Sequence, residues 1–178
     1  MKKISLLLPF IFILGCTEAQ SVPLTTVSLT HARSLVGLHE RQDTSRLKDL
    51  LGVNPIHTQW CAAFVNSILH MQDIKGSESV SEHPLTARSF LDWGEPVDVP
   101  QYGDVVVFPR GSQGWQGHVG FYLKTQQING IDYYIILGGN QNNSVSYELY
   151  PAYRAIGIRR AIFLAHDTSY NHASVTYS

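Results

Sequence analysis

Charge and cysteine are the scarce ingredients of this chain. Of its 178 residues 15% are charged, and the formal net charge is −1. A nucleic-acid-binding surface needs a basic excess, so no nucleic-acid partner is expected. Two cysteines allow at most one bridge, Cys16–Cys61, which would tie an N-terminal tail to the start of a helix and is not expected. There is no His-Glu-x-x-His and no Cys-x-x-Cys, so neither a zinc site nor any other metal or cofactor is expected. No internal repeat is visible. The longest apolar run, Ile4 to Leu14, is broken by Ser5 and Pro9 and falls short of the ~20 residues that span a bilayer. What the chain does have is apolar material: 44% of residues are hydrophobic. That is enough for a core and excludes disorder over most of the length, which fits one domain.

The first residues read as an address. Lys2 and Lys3 precede the apolar run, which ends in Ile13-Leu14-Gly15-Cys16. This is the n-region and h-region of a secretory signal, and its end resembles a bacterial lipobox. Residues 1–15 are expected to be a signal peptide, Cys16 the lipidated residue and membrane anchor, and 16–25 a polar tether. Thr17, rather than aspartate, follows the cysteine, which in enterobacterial-type sorting implies the outer membrane, facing the periplasm. Ordinary cleavage after Thr17-Glu18-Ala19 is the other reading. With Cys16 taken by lipid, Cys61 is left as a lone thiol in an exported protein.

Beyond the tether the hydrophobic period is first helical. Leu29, Ala32, Leu35 and Val36 predict a helix over 29–38. Leu47, Leu50 and Leu51 predict a second, capped by Asp43 or Thr44 and stopped at Gly52. Cys61, Phe64, Val65, Ile68 and Leu69 predict a third over 60–71, with Cys61 in its first turn. A fourth is expected over 85–93, ending at Gly94. From there the period becomes two. Strands are expected over 104–108, 118–124, 131–137, 144–150 and 156–164, with Asn129-Gly130 as a hairpin turn. Helices followed by an antiparallel meander predict an α+β domain over 26–165, and 166–178 is a polar tail.

Cys61 is the residue on which the chemistry turns. Only the thiolate attacks a carbonyl, and the unpaired N–H groups of a helix N-terminus favour that anion. A base and a group that orients the base are also required. His118 follows the glycine-rich "RGSQGWQG" and opens a strand. Asn140, in "LGGNQ" at the end of the neighbouring antiparallel strand, falls at the same end of the sheet. An amide oxygen there can hold the imidazole N–H. Gln59 reads as a loop residue or as a side-chain oxyanion donor. Trp60 and Trp115 are candidates for lining a substrate groove, whereas Trp93 reads as core. Glu40 reads as a solvated helix-end charge, and Asp104 as a residue serving the turn before its strand.

The segments "WCAAFVNSIL", "ARSFLDWGEPV", "GDVVVF", "WQGHVGFYL" and "LGGNQNNSVS" together resemble the NlpC-type cell-wall cysteine peptidases. The subgroup they resemble is allied to the CHAP amidase/peptidases. The likeness runs from about Leu29 to Arg160. It implies a papain-like fold, with the cysteine at a helix N-terminus packed on an antiparallel sheet that supplies the histidine. It further implies Cys61 as nucleophile, His118 as base, Asn140 as third member and the Cys61 N–H as an oxyanion donor. The activity implied is hydrolysis of peptide or amide bonds of peptidoglycan by a monomer. Many such proteins have Asp-Cys-Ser at the nucleophile and a histidine as third member. This chain has Trp60-Cys61-Ala62 and Asn140, nearer the CHAP pattern, and the bond cut stays open between amidase and endopeptidase. The other readings are a non-catalytic peptidoglycan-binding lipoprotein and an exported wall-degrading toxin with the same chemistry.

Overall fold

The computed structural model describes residues 26–162, all within one compact unit. The signal segment, the tether with Cys16, and the tail over 166–178 lie outside the described residues.

Three helices lead the fold: α1, Thr26–Ser34, α2, Thr44–Leu51, and α3, Cys61–His70. Helix α2 has Leu47 and Leu51 buried and stops at Gly52, whose φ of 68° closes the last turn by donating to the Lys48 carbonyl. Helix α3 buries most of its length. Phe64, Val65, Ile68 and Leu69 are inaccessible to solvent, each contributing about 1.5–3 kcal/mol relative to exposure. Its period also carries the polar Asn66 inside. That amide is satisfied: it accepts from the Ser77 N–H at 2.9 Å and donates to the Pro84 carbonyl at 3.1 Å.

The expected fourth helix is a six-residue 3₁₀ segment, Ala87–Asp92. Its shortness has a local cause. The Thr86 carbonyl takes both the N–H of Ser89 at 3.2 Å and its hydroxyl at 2.7 Å, so the tighter i→i+3 turn wins from the start.

The described residues form six strands, β1 (Glu95–Pro96), β2 (Val105–Pro109), β3 (Gly117–Ile128), β4 (Ile131–Gln141), β5 (Ser144–Pro151) and β6 (Gly157–Arg160). They form one sheet in the order β1-β6-β2-β3-β4-β5, and every pairing is antiparallel. The α+β class is therefore as expected, with the last strand shorter than the 156–164 read from its pattern. Helix α3 packs on β3 and β4, and α1 and α2 pack on α3. Val105, Val107, Val119, Phe121 and Leu137 join the helices in one core, while Val106, Phe108, Tyr122 and Ile136 form a second cluster with β5 and β6 residues. Both faces of the central strands are thus covered, which explains the unbroken apolar run of β2.

Two hairpin turns bound β4, one at each end. Asn129 and Gly130 turn with φ of 51° and 79°, the paired positive values of a type I′ turn. Asn142 and Asn143 do the same at the opposite end, with 50° and 62°. Just before that turn, Asn140 also has a positive φ of 57°, and the β4–β5 register shifts between Gly138 and Gln141. This is a β-bulge. Among the described residues no helix is long and apolar enough to cross a membrane.

Candidate active site

Helix α3 begins at Cys61 with no side-chain cap at Trp60. Its first N–H groups are therefore free to face an anion. The Cys61 thiol is free, 3% exposed, and set against β3: the backbone N–H groups of Val119, Ala62 and Cys61 itself favour its thiolate, as does the positive charge of Arg110. Burial outweighs them all and pushes the thiol up from its ordinary value of 9.0. The resting sulfur is a neutral thiol.

His118 is 1% exposed, at the start of β3 one residue before Val119. Its Nε2 lies 3.0 Å from Oε1 of Gln141. Gln141 is fixed from its other end, since its Nε2 donates to the Ser146 carbonyl at 2.7 Å and to the Ser146 hydroxyl oxygen at 3.2 Å. With the amide nitrogen used there, Oε1 must accept from the ring, so the proton sits on Nε2 of His118. Nδ1 is then the basic nitrogen. It is buried and has no hydrogen-bond partner among the described residues, so the thiol and the imidazole are not joined by a hydrogen bond. Burial, reinforced by Arg110, lowers the His118 pKa from 6.5 to about 3, against the small opposing effect of the Gln141 bond. The ring also stacks on Tyr150 at 5.2 Å, and Tyr150 stacks on Phe108 at 4.5 Å. Burial holds that phenol neutral, its pKa pushed up to about 12.

Asn140 does not orient His118. The positive φ at Asn140 inserts a residue into the ladder, and the bulge re-aims the two side chains. Gln141 takes the place expected of Asn140, whose Nδ2 donates instead to Oε1 of Gln59 at 2.9 Å. Strand alternation alone favours Asn140. A cue was present in Asn140 itself, since asparagine tolerates the left-handed region.

A cleft of about 290 Å³ opens beside Cys61, lined also by Gln59, Leu85, Arg110, Trp115 and the Gln116-Gly117 turn among others. Gln59, with its amide oxygen held by Asn140, has Nε2 left to donate. Trp115 is 66% exposed at the cleft, where the sequence places it. Trp60 is not a groove residue: it is wholly buried, and its indole N–H donates to Glu40 Oε2 at 3.3 Å. The reason is Gly139. A Cβ there would lie 2.5 Å from Trp60 Cζ3 and 2.7 Å from Phe64 Cβ, so the glycine makes the space into which the ring folds. Glu40 is accordingly a hydrogen-bond acceptor rather than a free helix-end charge.

Trp93 is core, edge-on to Phe90 at 5.7 Å. Asp104 accepts the Gln101 N–H at 2.6 Å, closing the turn before β2, and also receives Arg160 Nη2 at 2.7 Å. Gln141, Tyr150 and Arg110 were not legible as site residues. Among the described residues no group of three or more His, Cys, Asp or Glu is placed to hold a metal ion. No family model matches this chain, and no curated protein matches it.

Proposed function

We propose that the chain is a thiol hydrolase with a papain-like fold of the NlpC/CHAP kind, cleaving peptide or amide bonds of peptidoglycan. One observation carries the reading: a lone cysteine at the uncapped start of a helix borders a cleft, against the strand whose histidine has one nitrogen bound and the other free. In the reaction, the Cys61 sulfur attacks the scissile carbonyl carbon as Nδ1 of His118 takes the thiol proton. The carbonyl oxygen becomes an oxyanion, facing the Cys61 N–H and Gln59 Nε2. The C–N bond breaks, and the leaving amine departs with the proton from His118. Water then attacks the thioester, giving its proton to Nδ1. The acid product leaves, and the thiol recovers its proton.

The lipobox-like end of the leader supports an outer-membrane lipoprotein anchored through Cys16 and facing the periplasmic peptidoglycan. Purified sacculi, digested and resolved by mass spectrometry, test the activity and identify the bond. The expected outcome is new muropeptides with the native chain and none with Cys61→Ala. Identical profiles from the two proteins refute the hydrolase reading. They would leave a sacculus-binding module, which the neutral thiol and the unbonded Nδ1 favour as the second reading.

A further inference from the structure

Arg110 brings a positive charge into an otherwise uncharged cleft. It lines the wall beside Cys61, and every other lining side chain is neutral. Among the described residues the ion pairs are His70 with Glu78 and Arg160 with Asp104, so no carboxylate answers Arg110. Its guanidinium is nevertheless held. Nη2 donates to the Asn140 carbonyl at 3.3 Å, and the positive charge lies near enough to the Tyr150 phenol to favour its ionised form. That one acceptor cannot use a fork of five N–H donors. A held, half-buried guanidinium with donors to spare is a receptor for a planar anion.

We propose, resting on the hydrolase reading above, that Arg110 is the subsite that receives a free carboxylate of the substrate next to the scissile bond. The peptide chains of the wall carry such carboxylates, in free or amidated form. Their apolar parts have Leu85 and Trp115 to lie on, both exposed on the same cleft. The bulge at Asn140 ties the subsite to the chemistry, because the residue whose carbonyl holds Arg110 also holds Gln59 through its side chain. Support of the nucleophile does not by itself account for a cation here. Arg110 favours the Cys61 thiolate but disfavours a proton on His118, and the two effects oppose each other in the step that moves the proton. A carboxylate seated on Arg110 removes that opposition at the moment substrate binds.

The test uses synthetic muropeptide pairs, identical except for a free acid or a primary amide on the residue flanking the scissile bond. Their affinities are measured by calorimetry on the Cys61→Ala protein, which removes turnover. The acid is expected to bind about 10- to 100-fold tighter than the amide, the range for a charge-assisted hydrogen bond. Arg110→Gln in the same background is expected to abolish the difference by weakening the acid alone, and Arg110→Lys to keep part of it. Equal affinities for acid and amide overturn the subsite, as does a preference that survives Arg110→Gln. The acid–amide comparison with Arg110 intact holds even if the variant fails to fold. Turnover by the native chain separates the two ideas. Discrimination in binding without cleavage ends the hydrolase reading and keeps the subsite. Cleavage of both peptides with equal affinity ends the subsite and keeps the hydrolase.

Discussion

Replacing Gln141 should cripple His118 as the proposed base while leaving the cleft intact. In the resting protein the bond from His118 Nε2 to Gln141 Oε1, 3.0 Å long, joins two neutral groups and is worth about 1 kcal/mol. When the ring takes the thiol proton the same bond becomes charge-assisted, worth about 1.5–3 kcal/mol. Only the difference, about 0.5–2 kcal/mol, acts on the rate, so at about 1.4 kcal/mol per decade Gln141→Ala should lower kcat by about 2- to 30-fold with little change in KM. It also strands the Ser146 carbonyl, at about 1–3 kcal/mol of stability, so rates must be read well below the melting point. The control is Asn140→Gly, which keeps the positive φ of 57° and so the bulge, but removes the tether on Gln59. Its loss should appear through the oxyanion donor, without a change at the ring. Nitrogen NMR of the His118 ring separates the two variants: Nε2 should stay protonated in Asn140→Gly and become a tautomer mixture in Gln141→Ala. A tautomer change in Asn140→Gly with none in Gln141→Ala would refute the assignment of Gln141 as the orienting group.

Acid should destabilise the fold through His118. The unfolded imidazole binds a proton near 6.5 and the buried one only near 3, so the contribution is complete above about 6.5 and is lost as pH falls toward 3. The slope in that window is up to about 1.4 kcal/mol per pH unit, and urea midpoints should show it flattened in His118→Gln; parallel curves for the two proteins would argue against it. Alkylation of resting Cys61 by iodoacetamide should be slow at neutral pH and still rising beyond 9, because burial raises the thiol. A fast plateau below pH 7 would mean a preformed thiolate. Gly139→Ala puts a methyl 2.5 Å from Trp60 and 2.7 Å from Phe64, so α3 must shift. The cost should be about 1–3 kcal/mol by thermal melting, with activity falling further because Cys61 lies between those two residues; an unchanged melting point would be inconsistent with this packing.

Where one period rules a segment, the chain could be read directly. Helix α3 follows from the spacing of Cys61, Phe64, Val65, Ile68 and Leu69, and the first hairpin from Asn129-Gly130. The readings that failed are those where a local backbone choice overrides a period. Asn142-Asn143 makes the same type of turn without glycine, and its position sets how β4 ends. The bulge at Asn140 exchanges the roles of two adjacent amides, which alternation cannot foresee. Trp60 sits where a groove aromatic would sit, but the missing Cβ of Gly139, some eighty residues along the chain, decides that its ring turns inward. Arg110 stands out because no carboxylate among the described residues pairs with it, and a sequence cannot display that.

The amide that faces His118 suits the burial of the ring. A carboxylate beside His118 would itself have to leave water, a cost of several kcal/mol that one neutral imidazole does not offset. Gln141 avoids it, and its second end, anchored on Ser146, supplies the rigidity that a charge would otherwise provide. The consequence is a resting site with a neutral thiol and a neutral ring, since burial disfavours the charged form of both. The backbone N–H groups of Cys61, Ala62 and Val119 favour a negative charge on the sulfur. In the proposed reaction, charge therefore separates only as the carbon–sulfur bond forms, when the sulfur no longer has to hold a full negative charge. A nucleophile built this way is quiet toward small electrophiles in solution and depends on an ordered substrate to bring thiol and Nδ1 into contact.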